Sequence, residues 1–294
     1  MRWNKITLVG VGLLGGSLGL ALRKRRLARQ VVGFVRRAVS VPECEMLGAV
    51  HLASCDLSQA VEGAELIVLC TPIAQMRPLV EQMLPALKPG AIVTDVGSVK
   101  GSVVRELEPL VARRGGHYVG SHPMAGAEKT GVAAAREDLF AGAVCVVTPT
   151  RHSHPAAVRR VDQLWRAVGS RVLHLAPATH DALVSRSSHL PHLVAAQLTN
   201  LILSPEYPKE QRTLCANGFR DATRIAASSP EMWRDIALAN RHNLSRALRS
   251  FTTGLQELRR ALENGNGPAV TKFFEQARER RERWSQGARS PSPE

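Results

Sequence analysis

Two kinds of segment in this chain have residue types at a spacing that could do chemistry: a glycine-rich turn near the N-terminus and several polar clusters built around histidines, a serine and arginines. Gly10-Val11-Gly12-Leu13-Leu14-Gly15 is a GxGxxG pattern directly after the apolar run Ile6–Val9. The pattern alone also describes a tight turn without a ligand. Between a strand and an apolar helix it reads as a dinucleotide site. Gly10 permits the tight turn, Gly12 lets the backbone approach a pyrophosphate, and Gly15 lets helix and strand pack closely. The helix start at Leu13 and Leu14 then offers free N–H groups to phosphate.

The second strand of such a unit normally ends in an acid that holds the ribose 2′-hydroxyl. Here no Asp or Glu precedes Glu43, and the strand runs into Gly33-Phe34-Val35-Arg36-Arg37. Two guanidinium groups suit a 2′-phosphate, so NADP is expected over NAD. The other reading of Arg36 and Arg37 is ordinary solvated charge. Farther on, Leu69-Cys70-Thr71-Pro72 closes an apolar run. The carboxyl ends of strands face the ligand crevice, which would put Thr71 and Pro72 beside the nicotinamide; simple loop chemistry accounts for them equally well.

Gly120-Ser121-His122-Pro123-Met124-Ala125-Gly126 is read as a Gly/Pro-rich loop at a strand's carboxyl end. Histidine titrates near working pH and is the natural general base there, although a lone loop histidine is usually inert. Asp95-Val96-Gly97-Ser98-Val99-Lys100-Gly101 follows another strand, and Ser98 also suits a helix N-cap. His189 and His192, in Ser188-His189-Leu190-Pro191-His192, share a helical face; packed core histidines are the alternative. Gly218-Phe219-Arg220-Asp221-Ala222-Thr223-Arg224-Ile225-Ala226 places Asp221 where it can pair with Arg224. Trp233 follows in Met232-Trp233-Arg234-Asp235.

The elements that must position these groups change character along the chain. Strand candidates at Ile6–Val9, Val31–Phe34, Leu66–Leu69, Ala91–Thr94, His117–Gly120 and Ala143–Val147 alternate with helical stretches such as Ile73–Leu87. Alternating β and α predicts a doubly wound parallel sheet, an α/β Rossmann-type fold. A helix near Ala156–Val168 and a short strand near Arg171–Leu175 close it. The expected division is 1–175 for the dinucleotide-binding domain, 176–284 for an all-helical substrate and dimerisation domain, and 285–294 for a disordered tail. Pro191 should kink the apolar stretch Ala178–Leu203. Ser228-Ser229-Pro230-Glu231 reads as a helix start, and Asn264-Gly265 as its stop. Between them Leu244, Leu248, Phe251, Leu255, Leu258 and Leu262 form a heptad-like seam that wants a helical partner, in the same chain or in a second subunit.

Composition narrows the classes. Hydrophobic residues are 44% of 294, enough for a sizeable core. The five cysteines are scattered without a CxxC pair, which fits a reducing cytoplasm and gives no metal site. The net charge of +14 attracts anions, although arginine-rich coding explains it equally well. With two tyrosines and no basic stretch interleaved with aromatics, nucleic-acid binding ranks low. Residues 6–22 are uncharged and flanked by basic residues like a signal anchor, but they are short for a span and carry five glycines. No membrane partner is expected.

Taken together, GVGLLGGSLGLAL, DVGSVKG, SHPMAG, SHLPH and FRDATRIA, in this order over about residues 5–260, resemble the prephenate/arogenate dehydrogenase family. The resemblance implies a substrate that is a cyclohexadienol with a ring carboxylate and a C4 hydroxyl. Its oxidation needs a base for the hydroxyl proton and an acceptor for hydride; loss of CO2 then aromatises the ring. On the family pattern His122 is the catalytic base, and Ser98 hydrogen-bonds near the nicotinamide and the reacting hydroxyl. Arg224 binds a substrate carboxylate, with Asp221 beside it holding the guanidinium or gating access. His192, Glu128 and Lys129 belong to the active-site network and Trp233 walls it. The chain departs from the pattern at Ala127, where many relatives carry Ser or Thr, which leaves prephenate versus arogenate open. Nothing resembles a chorismate mutase or a regulatory ACT domain, so a monofunctional homodimeric enzyme is expected.

Overall fold

The computed structural model describes residues 2–127 and 129–289. Strands and helices alternate through its first part: β1 (Trp3–Val9), α1 (Leu13–Lys24), β2 (Ala28–Phe34), α2 (Ser40–Met46), β3 (Leu52–Ser54), α3 (Leu57–Val61), β4 (Leu66–Leu69), α4 (Ile73–Met83), β5 (Ile92–Asp95), α5 (Gly101–Ala112), β6 (His117–Tyr118), β7 (Gly120–Pro123), β8 (Val144–Thr148), α6 (Pro155–Ala167) and β9 (Arg171–His174). Helices follow: α7 (Pro177–Val184), α8 (Leu190–Ile202), α9 (Lys209–Thr213), α10 (Asn217–Thr223), α11 (Pro230–Ala239), α12 (Arg241–Glu263) and α13 (Gly267–Arg289).

A six-stranded parallel sheet runs in the order β3-β2-β1-β4-β5-β6, reversing between β1 and β4. This is the Rossmann-type order, with its ligand crevice at the reversal. Both faces are covered. Leu8, Leu66 and Val68 pack on one side with Leu18 and Trp165, while Val9, Ile67, Leu69 and Val93 pack on the other with Met76, Val80 and Leu107. The continuous apolar runs of β1 and β4 follow from burial on both faces.

The structure departs from the sequence reading at His117–Gly120. β6 ends at Tyr118, and Gly120–Pro123 forms a separate strand, antiparallel to β8, which pairs in parallel with β9. Gly120 is the pivot. A Cβ there would lie 2.6 Å from Thr148 Oγ1 and 2.9 Å from Val104 Cγ2, so only glycine lets the strands pass this closely. His122 therefore sits in a strand, opposite Val146, and not in a loop.

The kink expected at Pro191 becomes a π turn over Ser185–His189, and Pro191 occupies the first turn of α8, where no N–H is needed. The helix expected to run from Ser229 to Asn264 starts as anticipated, with Ser229 Oγ accepting from Met232 N, but breaks at Asn240. The Asn240 side chain, buried, donates to Asp181 O at 2.8 Å. The tail expected from residue 285 is helical as far as Arg289, and residues 290–294 lie outside those described.

The chain divides into two compact units, residues up to Asn243 and residues from Leu244 onward. In the second, Leu248, Leu255 and Leu262 of the α12 seam are exposed. No helix among the described residues is long and apolar enough to cross a membrane.

Candidate active site

The site is built on the carboxyl ends of β1, β4 and β5. After β1, Gly10 takes a φ of +95°, a turn conformation that favours glycine. A Cβ on Gly15 would lie 2.0 Å from Gly10 O, whereas a Cβ on Gly12 would meet nothing within 4 Å. The first glycine pair thus packs α1 against the turn, and Gly12 leaves open space above the backbone. That space belongs to a cleft of about 530 Å³ lined by Gly10, Gly12, Arg36, Arg37, Ser40 and Glu43, with Thr130–Ala133 also on its wall. These features fit a dinucleotide. Arg36 and Arg37 are exposed and Glu43, the first acid of the chain, is brought into the same cleft by α2. Leu13 and Leu14 open α1. Thr71 and Pro72 follow β4, and Thr71 Oγ1 is buried without a hydrogen-bond partner among the described residues.

At the carboxyl end of β5 lies a buried polar cluster. The Asp95 carboxylate accepts from Tyr118 OH at 2.7 Å, from Gly97 N at 2.8 Å and from Ser121 N at 3.2 Å. Lys100 Nζ pairs with Asp95 Oδ2 and donates to Ser121 O at 2.8 Å; both side chains are fully buried. Ser121 Oγ donates to Asp95 O at 2.6 Å and accepts from Trp165 Nε1 at 3.0 Å, so the 2.8 Å contact with Thr94 Oγ1 takes its proton from Thr94. The residue before His122 is thereby held on every side.

His122 itself is 7% exposed. Its Nδ1 lies 2.9 Å from His180 Nε2, and His180 Nδ1 lies 2.8 Å from Asp181 Oδ1. Asp181 also accepts from the backbone N–H groups of Lys100 and Gly101, each at 2.8 Å, and so caps α5 from a distant helix. Ser98, the capping residue suggested by sequence, instead sits in the loop before that helix start. With both rings neutral, the contacts fit one pair of tautomers. The carboxylate needs a proton on His180 Nδ1, which leaves His180 Nε2 as an acceptor for the proton on His122 Nδ1. His122 Nε2 is then a free lone pair. Burial first, then His180 and Lys100, hold the His122 pKa well below the usual histidine range, so the ring is neutral at pH 7.

The π turn carries His189, which is buried and within 3.3 Å of Asn240 Nδ2 through its Nδ1; burial brings its pKa to about 4. His192 Nδ1 is 2.9 Å from Ser188 O, and its ring stacks on Trp233 at 3.8 Å. Trp233 Nε1 is buried with no hydrogen-bond partner among the described residues. The structure thus brings His192 and Trp233 into contact. Asp221 lies in the last turn of α10, which ends at Thr223, and Arg224 begins a 3-10 turn; both are exposed, and the change of helix type after Thr223 interrupts their shared face. Both elements pack on α8. Lys129 is exposed, and Glu128 lies outside the described residues.

Sequence reasoning passed over His180 and Asp181. Their signal is weak: a His–Asp pair inside the helical stretch after Pro177. Asp95 and Lys100 were visible in a motif, but their pairing was not. Among the described residues no three His, Cys, Asp or Glu side chains are grouped to hold a metal ion.

Comparison with known proteins places these features. Residues 18–174 match the nucleotide-binding domain of prephenate dehydrogenase, and residues 176–276 match its dimerization domain. A cyclohexadienyl dehydrogenase from Zymomonas mobilis is 32% identical over 95% of this chain and 95% of its own length. The crystal structure of a prephenate dehydrogenase from Aquifex aeolicus, in complex with hydroxyphenyl propionate and NAD+, superposes with a TM-score of 0.90 at 29% identity, covering 96% of this chain and 99% of that one. A Synechocystis arogenate dehydrogenase superposes at 0.81 with 31% identity, over 95% and 99% of the two chains.

Proposed function

The chain belongs to the prephenate dehydrogenase family, and from that premise we propose that it oxidises and decarboxylates prephenate or arogenate in tyrosine biosynthesis, with His122 as the base. The observation that carries this assignment is the buried His122–His180–Asp181 chain, which leaves Nε2 of a neutral imidazole as the proton acceptor.

On this reading His122 Nε2 takes the proton of the substrate's ring hydroxyl as hydride leaves the same carbon. The imidazolium that forms keeps its Nδ1 proton on His180, and Asp181 lies at the end of the chain as the compensating carboxylate. This geometry stabilises charge only when it develops. Ser98 hydrogen-bonds the reacting hydroxyl, Arg224 takes a substrate carboxylate with Asp221 beside it, and His192, Trp233 and Glu128 shape the substrate side. Loss of the ring carboxylate as CO2 aromatises the product and makes the step effectively irreversible.

A nicotinamide dinucleotide bound in the cleft supplies the two-electron acceptor. Gly10, Gly12, Leu13, Leu14 and Gly15 would hold its pyrophosphate side, and Thr71 and Pro72 its nicotinamide side. Arg36 and Arg37 on the cleft wall support NADP over NAD; Glu43 in the same cleft is the group that would oppose this preference. Residues 1–175 act as the dinucleotide-binding domain and 176–284 as the substrate and dimerisation domain. The exposed leucines of α12 support a homodimer formed through the latter.

The test is an initial-rate grid of prephenate and arogenate, each with NAD and NADP. Turnover of at least one dienol with release of CO2 is expected, with the lower KM for NADP. No turnover in any cell of the grid refutes the activity, and a lower KM for NAD refutes the role given to Arg36 and Arg37.

A further inference from the structure

The loop between β7 and β8 does more than connect them. From Pro123, one residue after the proposed base, it crosses to the nucleotide helix and is fastened there. Val132 is buried in the same core as Leu18, and Arg136 N donates to Ser17 Oγ at 2.9 Å across 119 residues of sequence; Ser17 is itself fully buried. The helix is notched to receive the loop. A Cβ on Gly16 would lie 2.9 Å from Ala135 Cβ and 3.1 Å from Val132 Cγ2. Gly16 is therefore kept small by this loop, whereas Gly15 is kept small by the turn after β1. The loop enters the notch through Gly131, at φ +87°, a conformation that L side chains rarely adopt. Thr130–Ala133 then form a wall of the cleft that also holds Gly12, Arg36 and Arg37.

From this the geometry points to a further cofactor-binding element: residues Thr130–Ala133, seated in the Gly16–Ser17 notch of α1, hold the adenosine–pyrophosphate half of the dinucleotide. That half is the one bound between a glycine turn and the end of the second strand in folds of this order. The assignment rests on use of a nicotinamide dinucleotide but not on the choice between NAD and NADP, because the wall residues include no charged side chain that would distinguish a 2′-phosphate. Because the same loop leaves the base strand, the site for hydride acceptor and the site for proton removal are tied by a single covalent segment.

The experiment uses the full chain and measures NADH and NADPH binding by fluorescence titration, with thermal unfolding in parallel. Gly16→Ala is expected to raise Kd by about tenfold or more for both nucleotides, and Gly16→Ala with Ala135→Gly to recover most of the loss, since the added methyl then meets hydrogen in place of carbon. Gly131→Ala, whose Cβ would touch nothing within 4 Å, is expected to weaken binding through backbone strain alone. It also serves as the test if Gly16→Ala does not fold. An unchanged Kd in Gly16→Ala or Gly131→Ala overturns the proposal. So does a loss that Ala135→Gly leaves in place, because the effect then lies in α1 itself. Wild-type protein that binds neither nucleotide would instead refute the underlying dehydrogenase reading.

Discussion

The proposed proton-handling side of the site and its proposed ligand-gripping side are built on opposite principles. His122, His180, Asp181, Asp95 and Lys100 are buried and joined by hydrogen bonds across β5, β7, α7 and the turn before α5. Arg36, Arg37, Asp221 and Arg224 are exposed, at a strand end and on short helical turns. The difference follows from when each group meets its partner. A base must be held neutral, in one tautomer and one orientation before substrate arrives, so its surroundings are complete without ligand. A guanidinium proposed to grip phosphate or carboxylate is better kept at the surface until the anion arrives, because burying a charge in advance would be costly.

The contrast has measurable consequences. His122→Asn removes the lone pair and is expected to lower turnover on the order of 10²–10⁴-fold while nucleotide Kd stays near wild type; near-normal turnover would exclude His122 as the base. Lys100→Met leaves Asp95 buried and uncompensated, which should destabilise the fold by about 3–5 kcal/mol. Thermal unfolding would read this, and Asp95→Asn added to it should recover part of the loss. Equal stability of Lys100→Met and wild type would show that the buried pair does not hold the site. His180→Leu takes the acceptor from His122 Nδ1, and turnover should fall about 10- to 100-fold, the scale seen for outer partners of metal-bound histidines, with substrate KM little changed. If KM rises instead, His180 belongs to binding.

On the exposed side, Arg224→Ala should mainly raise the substrate KM, by roughly tenfold for one lost charge-assisted pair; unchanged kinetics would contradict its role. The smallest effect concerns pH. His189 is brought to about 4 by burial, and His122 and His192 are lowered for the same first reason. The folded chain resists their protonation, while the unfolded chain binds those protons below about pH 6.5. Stability is therefore full above that pH and should fall as the pH drops toward 4. A flat unfolding temperature between pH 7 and 5 would argue against these histidines being held neutral.

Much of the fold was legible because its signals are local. Apolar runs at Ile6–Val9 and Leu66–Leu69, the turn glycines and the Ser229-Pro230 helix start each depend on neighbours in sequence. The misreadings arose where distant contacts decided the outcome. His117–Gly120 looks like one strand, but Gly120 lies where the backbone must pass Thr148 and Val104. The helix after Ser229 looks continuous, but Asn240 is drawn to the carbonyl of Asp181.

The same division runs through the site. Residue order alone specified the parallel sheet, the glycine turn, the absence of an early acid before Arg36 and Arg37, and His122 as the histidine to watch, because propensity and motif spacing act over a few residues. Folding in three dimensions set that histidine's Nδ1 against His180 Nε2, paired Lys100 with Asp95, brought Glu43 into the cleft with Arg36 and Arg37 and seated Val132 against Gly16. Hydrogen-bond direction and close packing exist only between groups that the chain has already brought together, and the separation between His122 and His180, 58 residues in sequence and 2.9 Å in space, has no trace in either neighbourhood alone.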